Sequence, residues 1–180
     1  MKILLISGSL RAGSTNTALL RTVHAMSPEQ SHLYEGMKDL PHYTPDDDHE
    51  PLPVGVRDLR VSIRQADAVL FCTPEYAGGL PGSFKNLLDW TVGGGEMDGK
   101  PVAWINASGP AAPSGGEDAH ASLRKVLGYT GSVILEAACM QIPLVRQQVG
   151  PDGRITDPVV LTKLRQVLGA ISAPKTLPEG

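Results

Sequence analysis

The first residues of the chain place an apolar segment directly before a turn rich in hydroxyls and glycine, and helix-forming sequence follows. The segment Lys2 to Ile6 predicts a buried strand, and the turn after it contains Gly8, Gly13 and Arg11. Such a turn presents free backbone N–H groups and the positive end of a helix dipole, which together bind anions. Hydroxyl donors and a guanidinium suit a phosphate. The hydroxyl donors here are Ser7, Ser9, Ser14, Thr15 and Thr17.

The spacing within this turn disfavours two common nucleotide-binding loops. In the loop of nucleoside triphosphate hydrolases a lysine reaches the outer phosphates, and Ser14 stands at that position here. Gly8 and Gly13 also miss the Gly-x-Gly-x-x-Gly spacing that brings a backbone against a pyrophosphate. The turn therefore predicts a monophosphate site, and an ordinary strand-to-helix turn with serine caps is the alternative.

A second segment, from Ala68 to Trp90, repeats the pattern of strand, loop and helix. Its continuous apolar run predicts a strand that is covered on both faces, as in parallel sheets. The loop after that strand is stiffened by proline and exposes backbone at glycine, so a planar ring can lie against it. The residues concerned are Pro74, Pro81, Gly78, Gly79 and Gly82.

Two motifs, in this order and at this separation, carry a resemblance to a known family. They comprise Gly8-Ser9-Leu10-Arg11 with Ser14 and Asn16, and then Pro74-Glu75-Tyr76, Leu80-Pro81-Gly82, Lys85-Asn86 and Asp89-Trp90. The chain resembles the NAD(P)H-dependent FMN reductases, a flavodoxin-like group that includes quinone, azo-dye and chromate reductases. It departs at Ala77, where the family commonly has asparagine, so a side-chain amide near the flavin ring is missing.

The pattern of elements agrees with the fold that the resemblance implies. Apolar strands alternate with segments of helical periodicity, which is typical of a parallel sheet with helices on both faces. Strands are predicted over Lys2 to Ile6, Ser31 to Tyr34, Ala68 to Cys72, Val102 to Asn106 and Ser132 to Glu136. We expect an α/β, flavodoxin-like three-layer sandwich with a five-stranded parallel sheet in order 2-1-3-4-5. A single FMN-binding domain is predicted over residues 1–173, with a flexible tail over 174–180.

The resemblance also implies which residues contact FMN. The phosphate would be held by Ser9, Arg11, Ser14, Asn16 and Thr17. The isoalloxazine would be bordered by Pro74, Glu75, Tyr76, Ala77 and Gly78, and its far edge would be contacted by Ser108 and Gly109. No side chain is predicted to be a catalytic acid or base, since the flavin N5 carries the chemistry.

Composition limits the partners of the chain. Lysine and arginine number 16 against 19 acidic residues, a formal charge of -3, so neither nucleic acid nor an anionic membrane is expected. No apolar run approaches the ~20 residues of a membrane span. Cys72 and Cys139 lie in apolar segments, which indicates core residues and no metal site. We therefore expect a cytoplasmic protein.

The resemblance implies a reductase that uses NADPH or NADH as co-substrate. Hydride would pass to bound FMN and then to a small acceptor such as a quinone, an azo compound, a metal oxyanion or free flavin. A homodimer or homotetramer is expected on the same ground. Two alternatives stay open: an FMN-binding electron-transfer or redox-sensing module without NAD(P)H turnover, and an interaction domain that has lost its flavin. The sequence does not distinguish NADH from NADPH.

Overall fold

One parallel sheet of six strands organises the computed structural model, which describes residues 1–109 and 114–173. The strands are β1 (Ile3–Ser7), β2 (Ser31–Tyr34), β3 (Ala68–Cys72), β4 (Pro101–Ser108), β5 (Val133–Ile134) and β6 (Met140–Pro143). The order along the sheet is β2-β1-β3-β4-β5, and β6 also pairs with β4. All of these pairs are parallel. The predicted order and the parallel arrangement are confirmed, whereas the predicted tail at 174–180 lies outside the described residues.

The fifth strand lies within the predicted range Ser132 to Glu136 but is shorter, and the prediction of five strands is wrong because a sixth strand follows it. β5 ends at Ile134, and a short 3-10 turn over Glu136–Ala138 separates it from β6. β5 pairs with the first two residues of β4, and β6 pairs with its last four. Ala138 is fully buried between them. The sheet edge is thus divided because the chain turns into the core between the two strands.

Five α-helices cover the two faces of the sheet within the described ranges. They are α1 (Thr15–Met26), α2 (Val54–Gln65), α3 (Gly82–Asp89), α4 (Glu117–Tyr129) and α5 (Pro158–Ser172). α1 and α5 pack with alternate strand residues such as Leu5 and Leu70 in one core cluster. α2, α3 and α4 pack with the intervening residues, such as Ile6 and Phe71, in a second cluster. The strands are continuously apolar because both faces are covered. No helix among the described residues is both long and apolar enough to cross a membrane.

The topology brings the two sequence motifs together. β1 and β3 are neighbours, and Ser7 at the end of β1 is in register with Cys72 at the end of β3. α1 leaves β1 toward one face of the sheet, whereas α3 follows β3 on the other face. Connections that diverge in this way open a crevice at the carboxyl ends of the two strands, which is where ligands bind in such sheets. Both predicted loops border that crevice.

Candidate functional site

The loop between β1 and α1 has a row of unused backbone donors. The N–H groups of Leu10, Ala12, Gly13, Thr15 and Asn16 have no acceptor among the residues that the structure describes. Free N–H groups at a helix N-terminus are satisfied by an anion, and the helix dipole adds to the attraction. The first turn of α1 contains no acidic side chain that would repel an anion. The loop therefore fits a phosphate group.

Hydroxyl groups hold the same loop in shape. Ser14 is the N-cap of α1, and its side chain accepts a hydrogen bond from the N–H of Thr17 at 3.3 Å. The hydroxyls of Thr17 and Ser7 are 2.7 Å apart, which ties the first turn of α1 to the end of β1. The Ser9 hydroxyl accepts from the N–H of Arg11 at 3.3 Å. Three predicted phosphate ligands therefore also shape the loop.

Arg11 extends from the rim of this loop. Its side chain is exposed, and its Nη2 donates to the carbonyl of Gly13 at 3.4 Å. This is the only hydrogen bond of the guanidinium within the described ranges, so its remaining donors are free. A free guanidinium beside unused N–H groups is suited to a charge-assisted, bidentate contact with a phosphate.

Asn16 connects three elements beneath the loop. Its side chain is buried, and its Oδ1 accepts hydrogen bonds from the N–H of Ala107 at 2.9 Å and from the Sγ of Cys72 at 3.2 Å. It thereby joins α1 to the carboxyl ends of β3 and β4. Because the oxygen is occupied, only the N–H groups of Asn16 are left for an anion. Its predicted contact with the phosphate stays a prediction, with this limit on the atoms involved.

The loop after β3 contains a tight reverse turn at Tyr76. Tyr76 and Gly79 exchange both backbone hydrogen bonds, at 3.0 and 3.1 Å. The two central residues, Ala77 and Gly78, have φ angles of +50° and +71°. Two successive positive φ values define a type I′ turn, for which Asn-Gly is the preferred sequence. The asparagine that this chain lacks is therefore the residue that the turn geometry favours.

Glu75 points away from this turn and binds the start of α4. Its Oε1 accepts from the Ser114 hydroxyl at 2.5 Å, and its Oε2 accepts from the N–H of Ala119 at 3.1 Å. The bond from Ser114 and the backbone N–H groups of α4 lower the pKa of the Glu75 carboxyl. The carboxylate thus stays ionised and joins the second loop to the third. The predicted contact of Glu75 with the isoalloxazine stays a prediction, and only the backbone of Glu75 is left to make it.

The third loop begins after β4. Ser108 and Gly109 lie at its start and are half-buried, and the carbonyl of Ser108 accepts from the N–H of Leu144 at 3.1 Å. Residues 110–113, which follow in the chain, lie outside the described residues. Asn106 closes the far side of the loop by donating to the carbonyl of Gly115 at 2.9 Å. The loop therefore starts at the same edge of the sheet as the other two.

His120 lies just behind the third loop. The pKa of its ring is lowered to about 4, mainly by burial; the charge of Glu75 opposes the shift and Arg124 makes a smaller contribution to it. The ring makes an edge contact with Trp104, with centroids 6.0 Å apart. Its Nε2 is buried and has no hydrogen-bond partner in the described part of the chain. His120 is consequently neutral at physiological pH and adds no positive charge to the site.

The sequence pattern missed one residue at the first loop. A β-carbon built on Gly13 would lie 3.0 Å from the Nη2 of Arg146. The Arg146 guanidinium therefore lies against the backbone of the phosphate loop, although more than a hundred positions separate the two residues. No local signal marks Arg146, because only the packing of the chain after β6 brings it there.

The fold and these loops define the class of protein. Three loops meet at the crevice of a sheet with strand order 2-1-3-4-5. They are the anion-binding loop after β1, the glycine-bordered turn after β3 and the loop after β4. This is a flavodoxin-like nucleotide-binding arrangement. A family model described as NADPH-dependent FMN reductase matches residues 1–145. The chain belongs to the NADPH-dependent FMN reductase family.

Individual relatives agree with this assignment. The chain is 33% identical over 174 residues to the NAD(P)H-dependent FMN reductase PA1204 of Pseudomonas aeruginosa, covering 95% of this chain and 93% of the relative. It is 30% identical over 176 residues to a quinone reductase of Escherichia coli, covering 94% and 93%. Among solved structures, the NAD(P)H:acceptor oxidoreductase FerB of Paracoccus denitrificans superimposes with a TM-score of 0.76 at 29% identity, covering 94% of both chains. The prediction of an FMN-dependent oxidoreductase is confirmed at the level of the family.

Proposed function

We propose that this protein binds FMN in the crevice and reduces small electron acceptors, quinones first among them, at the expense of NAD(P)H. The free N–H groups of the first loop carry the assignment, because they fit a monophosphate and have no other acceptor in the described residues. Relatives named as quinone reductases support the choice of acceptor. When bound, FMN supplies the redox chemistry by taking a hydride from the nicotinamide and delivering electrons to the acceptor.

The residues of the chain divide the binding of FMN among the three loops. Ser9, Arg11, Ser14, Thr17 and the amide nitrogen of Asn16 would hold the phosphate. The second loop would border the isoalloxazine with Pro74, Tyr76, Ala77, Gly78 and the backbone of Glu75. The third loop would contact the far edge of the ring with Ser108 and Gly109.

We expect the arrangement of charge at the second loop to favour reduction of the flavin. Reduced flavin is anionic, so backbone N–H donors stabilise it and a nearby carboxylate destabilises it. The Glu75 carboxylate is held by Ser114 and Ala119, which keeps its charge on the N-terminus of α4. Tyr76 is 53% exposed at the tip of the second loop, so its ring is available to a planar acceptor. The second loop would thereby contribute donors and an aromatic surface to the reaction.

Replacing Arg11 tests the phosphate site directly. A hydrogen bond to a charged group is worth roughly 1.5 to 3 kcal/mol, so Arg11→Ala should weaken FMN binding by about one to two powers of ten. Titration of the apoprotein with FMN, followed by the quenching of flavin fluorescence, measures the affinity. Arg57→Ala is the matched control, because Arg57 is exposed on α2 and pairs with its neighbour Asp58. Equal FMN affinities of wild type and Arg11→Ala would refute the site.

The reaction itself is tested by reduction under anaerobic conditions. NADPH or NADH should bleach the absorbance of the bound flavin, and added benzoquinone should restore it. An electron-transfer module would keep its oxidised spectrum with either nucleotide, and this result would refute the reductase assignment.

A further inference from the structure

A cavity of about 430 Å³ adjoins the outer side of the phosphate loop. Gly13 and Ser14 of that loop form one wall, Ala18 and Arg21 of α1 continue it, and Arg146 and Gly153 face them. The volume lies within the range of small-molecule sites, which is roughly 300–1,000 Å³. The cavity begins where the predicted FMN phosphate site ends, so a ligand here would lie at the phosphate end of the flavin crevice.

Two unpaired arginines line this cavity. Neither the Arg21 nor the Arg146 guanidinium has a hydrogen bond or an ion pair within the described ranges, and both residues are exposed. The lining contains one carboxylate, that of Asp152, which is paired with Arg154 at 2.7 Å. The cavity therefore carries a net positive charge on a chain whose formal charge is -3. Two guanidiniums with free donors are suited to a phosphate dianion.

Glycine lets both arginines lie close to the backbone. A β-carbon on Gly13 would come within 3.0 Å of Arg146, and one on Gly153 would come within 3.2 Å of Arg21. Gly153 also has a φ of +74°, which side chains rarely adopt. A side chain at either position would displace the guanidinium from the cavity wall.

The opposite wall is anchored to α1. Val149 and Ile155 form an antiparallel bridge across the turn that contains Gly153. Ile155 is buried, and its N–H donates to the hydroxyl of Thr22 at 3.0 Å. Thr22 follows Arg21 in α1, so the turn is held directly beside that arginine. The two walls therefore have a defined separation before any ligand binds.

We propose that Arg21 and Arg146 bind the 2′-phosphate of NADPH and make this enzyme prefer NADPH to NADH. The proposal rests on the proposed function, because it assumes that the nicotinamide lies on FMN in the crevice. The adenosine half of the dinucleotide would then extend over the surface beyond the ring, and this cavity adjoins the phosphate end of the crevice. Arginine accommodates the 2′-phosphate in other dinucleotide sites for the same electrostatic reason.

The test uses the FMN-loaded protein and compares Arg21→Gln, Arg146→Gln and the double variant with wild type. Adenosine 2′,5′-bisphosphate and AMP are the binding probes, measured by calorimetry, and inorganic phosphate is added as a competitor. Steady-state kcat/KM is measured for NADPH and for NADH with benzoquinone as acceptor. Arg165→Gln on α5 is the control, since Arg165 is exposed and lies outside the cavity lining.

We expect each single variant to lose at least about tenfold in affinity for the bisphosphate and in kcat/KM for NADPH, with kcat/KM for NADH unchanged. Unchanged affinity for the bisphosphate, or its displacement by equimolar inorganic phosphate, would overturn the proposal. A loss of FMN affinity without a change in the NADPH-to-NADH ratio would assign Arg146 to the flavin phosphate and also overturn it. Wild-type protein that oxidises neither nucleotide would instead refute the proposed function, and bisphosphate binding would still decide whether the arginines recognise a 2′-phosphate.

Discussion

Replacing Ala77 with asparagine should stabilise the protein, because Ala77 is the first central residue of a type I′ turn. Its φ of +50° lies in the left-handed region, and Ala77 is the one non-glycine residue with positive φ among the described residues. This conformation costs a residue with a β-carbon roughly 1–2 kcal/mol of stability. The cost is smaller for asparagine, because its short polar side chain forms local hydrogen bonds. We expect Ala77→Asn to raise the free energy of unfolding by about 1 kcal/mol.

The turn is coupled to the rest of the fold, so its strain should be visible in global unfolding. Glu75, directly before the turn, is bonded to Ser114 and Ala119, and Pro81 after it is the N-cap of α3. For a chain of this size, about 1 kcal/mol corresponds to a rise in Tm of about 2–4 °C. Urea unfolding of the apoprotein gives the free energy directly, and calorimetry gives the Tm.

Ala25→Asn provides the matched control. Ala25 is exposed in α1, where φ is negative and asparagine is a poorer helix former than alanine, so this variant should lose about 0.5 kcal/mol. The same substitution should therefore have opposite signs at the two positions. If Ala77→Asn left the free energy of unfolding unchanged or lowered it, the argument from the turn would be refuted.

Two further predictions concern acid stability. Glu75→Gln should destabilise the protein by about 1 kcal/mol at neutral pH, since it removes an anion from the N-terminus of α4. The pKa of Glu75 is lowered in the folded protein, so its contribution to the free energy of unfolding is present above about pH 4.5. That contribution is lost as the pH falls through the lower native pKa. If the urea midpoints of wild type and Glu75→Gln differed equally at pH 7 and pH 3, this reasoning would be contradicted. Burial lowers the pKa of His120 to about 4 in the folded protein, whereas the ordinary value is 6.5. Between these two pH values the ring takes up a proton in the unfolded chain and stays neutral in the native protein. The free energy of unfolding therefore falls as the pH is lowered from 6.5 to 4. His120→Phe should remove about 2 kcal/mol of that fall after allowance for partial exposure, and an unchanged pH dependence of urea unfolding would refute the assignment.

Much of the fold could be read from local pattern. The bounds of β2 and β3 match the predicted ones, and the hydroxyl of Ser14 caps α1, as the alternative interpretation of the serine-rich turn expected. Both features depend on residues that are close together in the sequence, so hydrophobic periodicity and capping preferences are sufficient to predict them. The division of the sheet edge into β5 and β6 was not predicted, because it depends on how two short segments share the length of β4, which is a contact between distant parts of the chain.

At the candidate site, too, the sequence predicted local features and missed contacts between distant parts of the chain. The sequence alone determined the strand-turn-helix units, the hydroxyl-rich loop with Arg11 and the departure at Ala77, because these features lie within single short segments. The tertiary structure decided that the Glu75 carboxylate binds α4, that Asn16 joins β3 to β4 and that Arg146 lies against Gly13. Those contacts form only when helices dock on the sheet and bring remote segments within hydrogen-bonding distance. The sequence therefore determines which hydrogen-bonding groups are present at the site. Only the tertiary structure determines where the side chains point and which partners they bind.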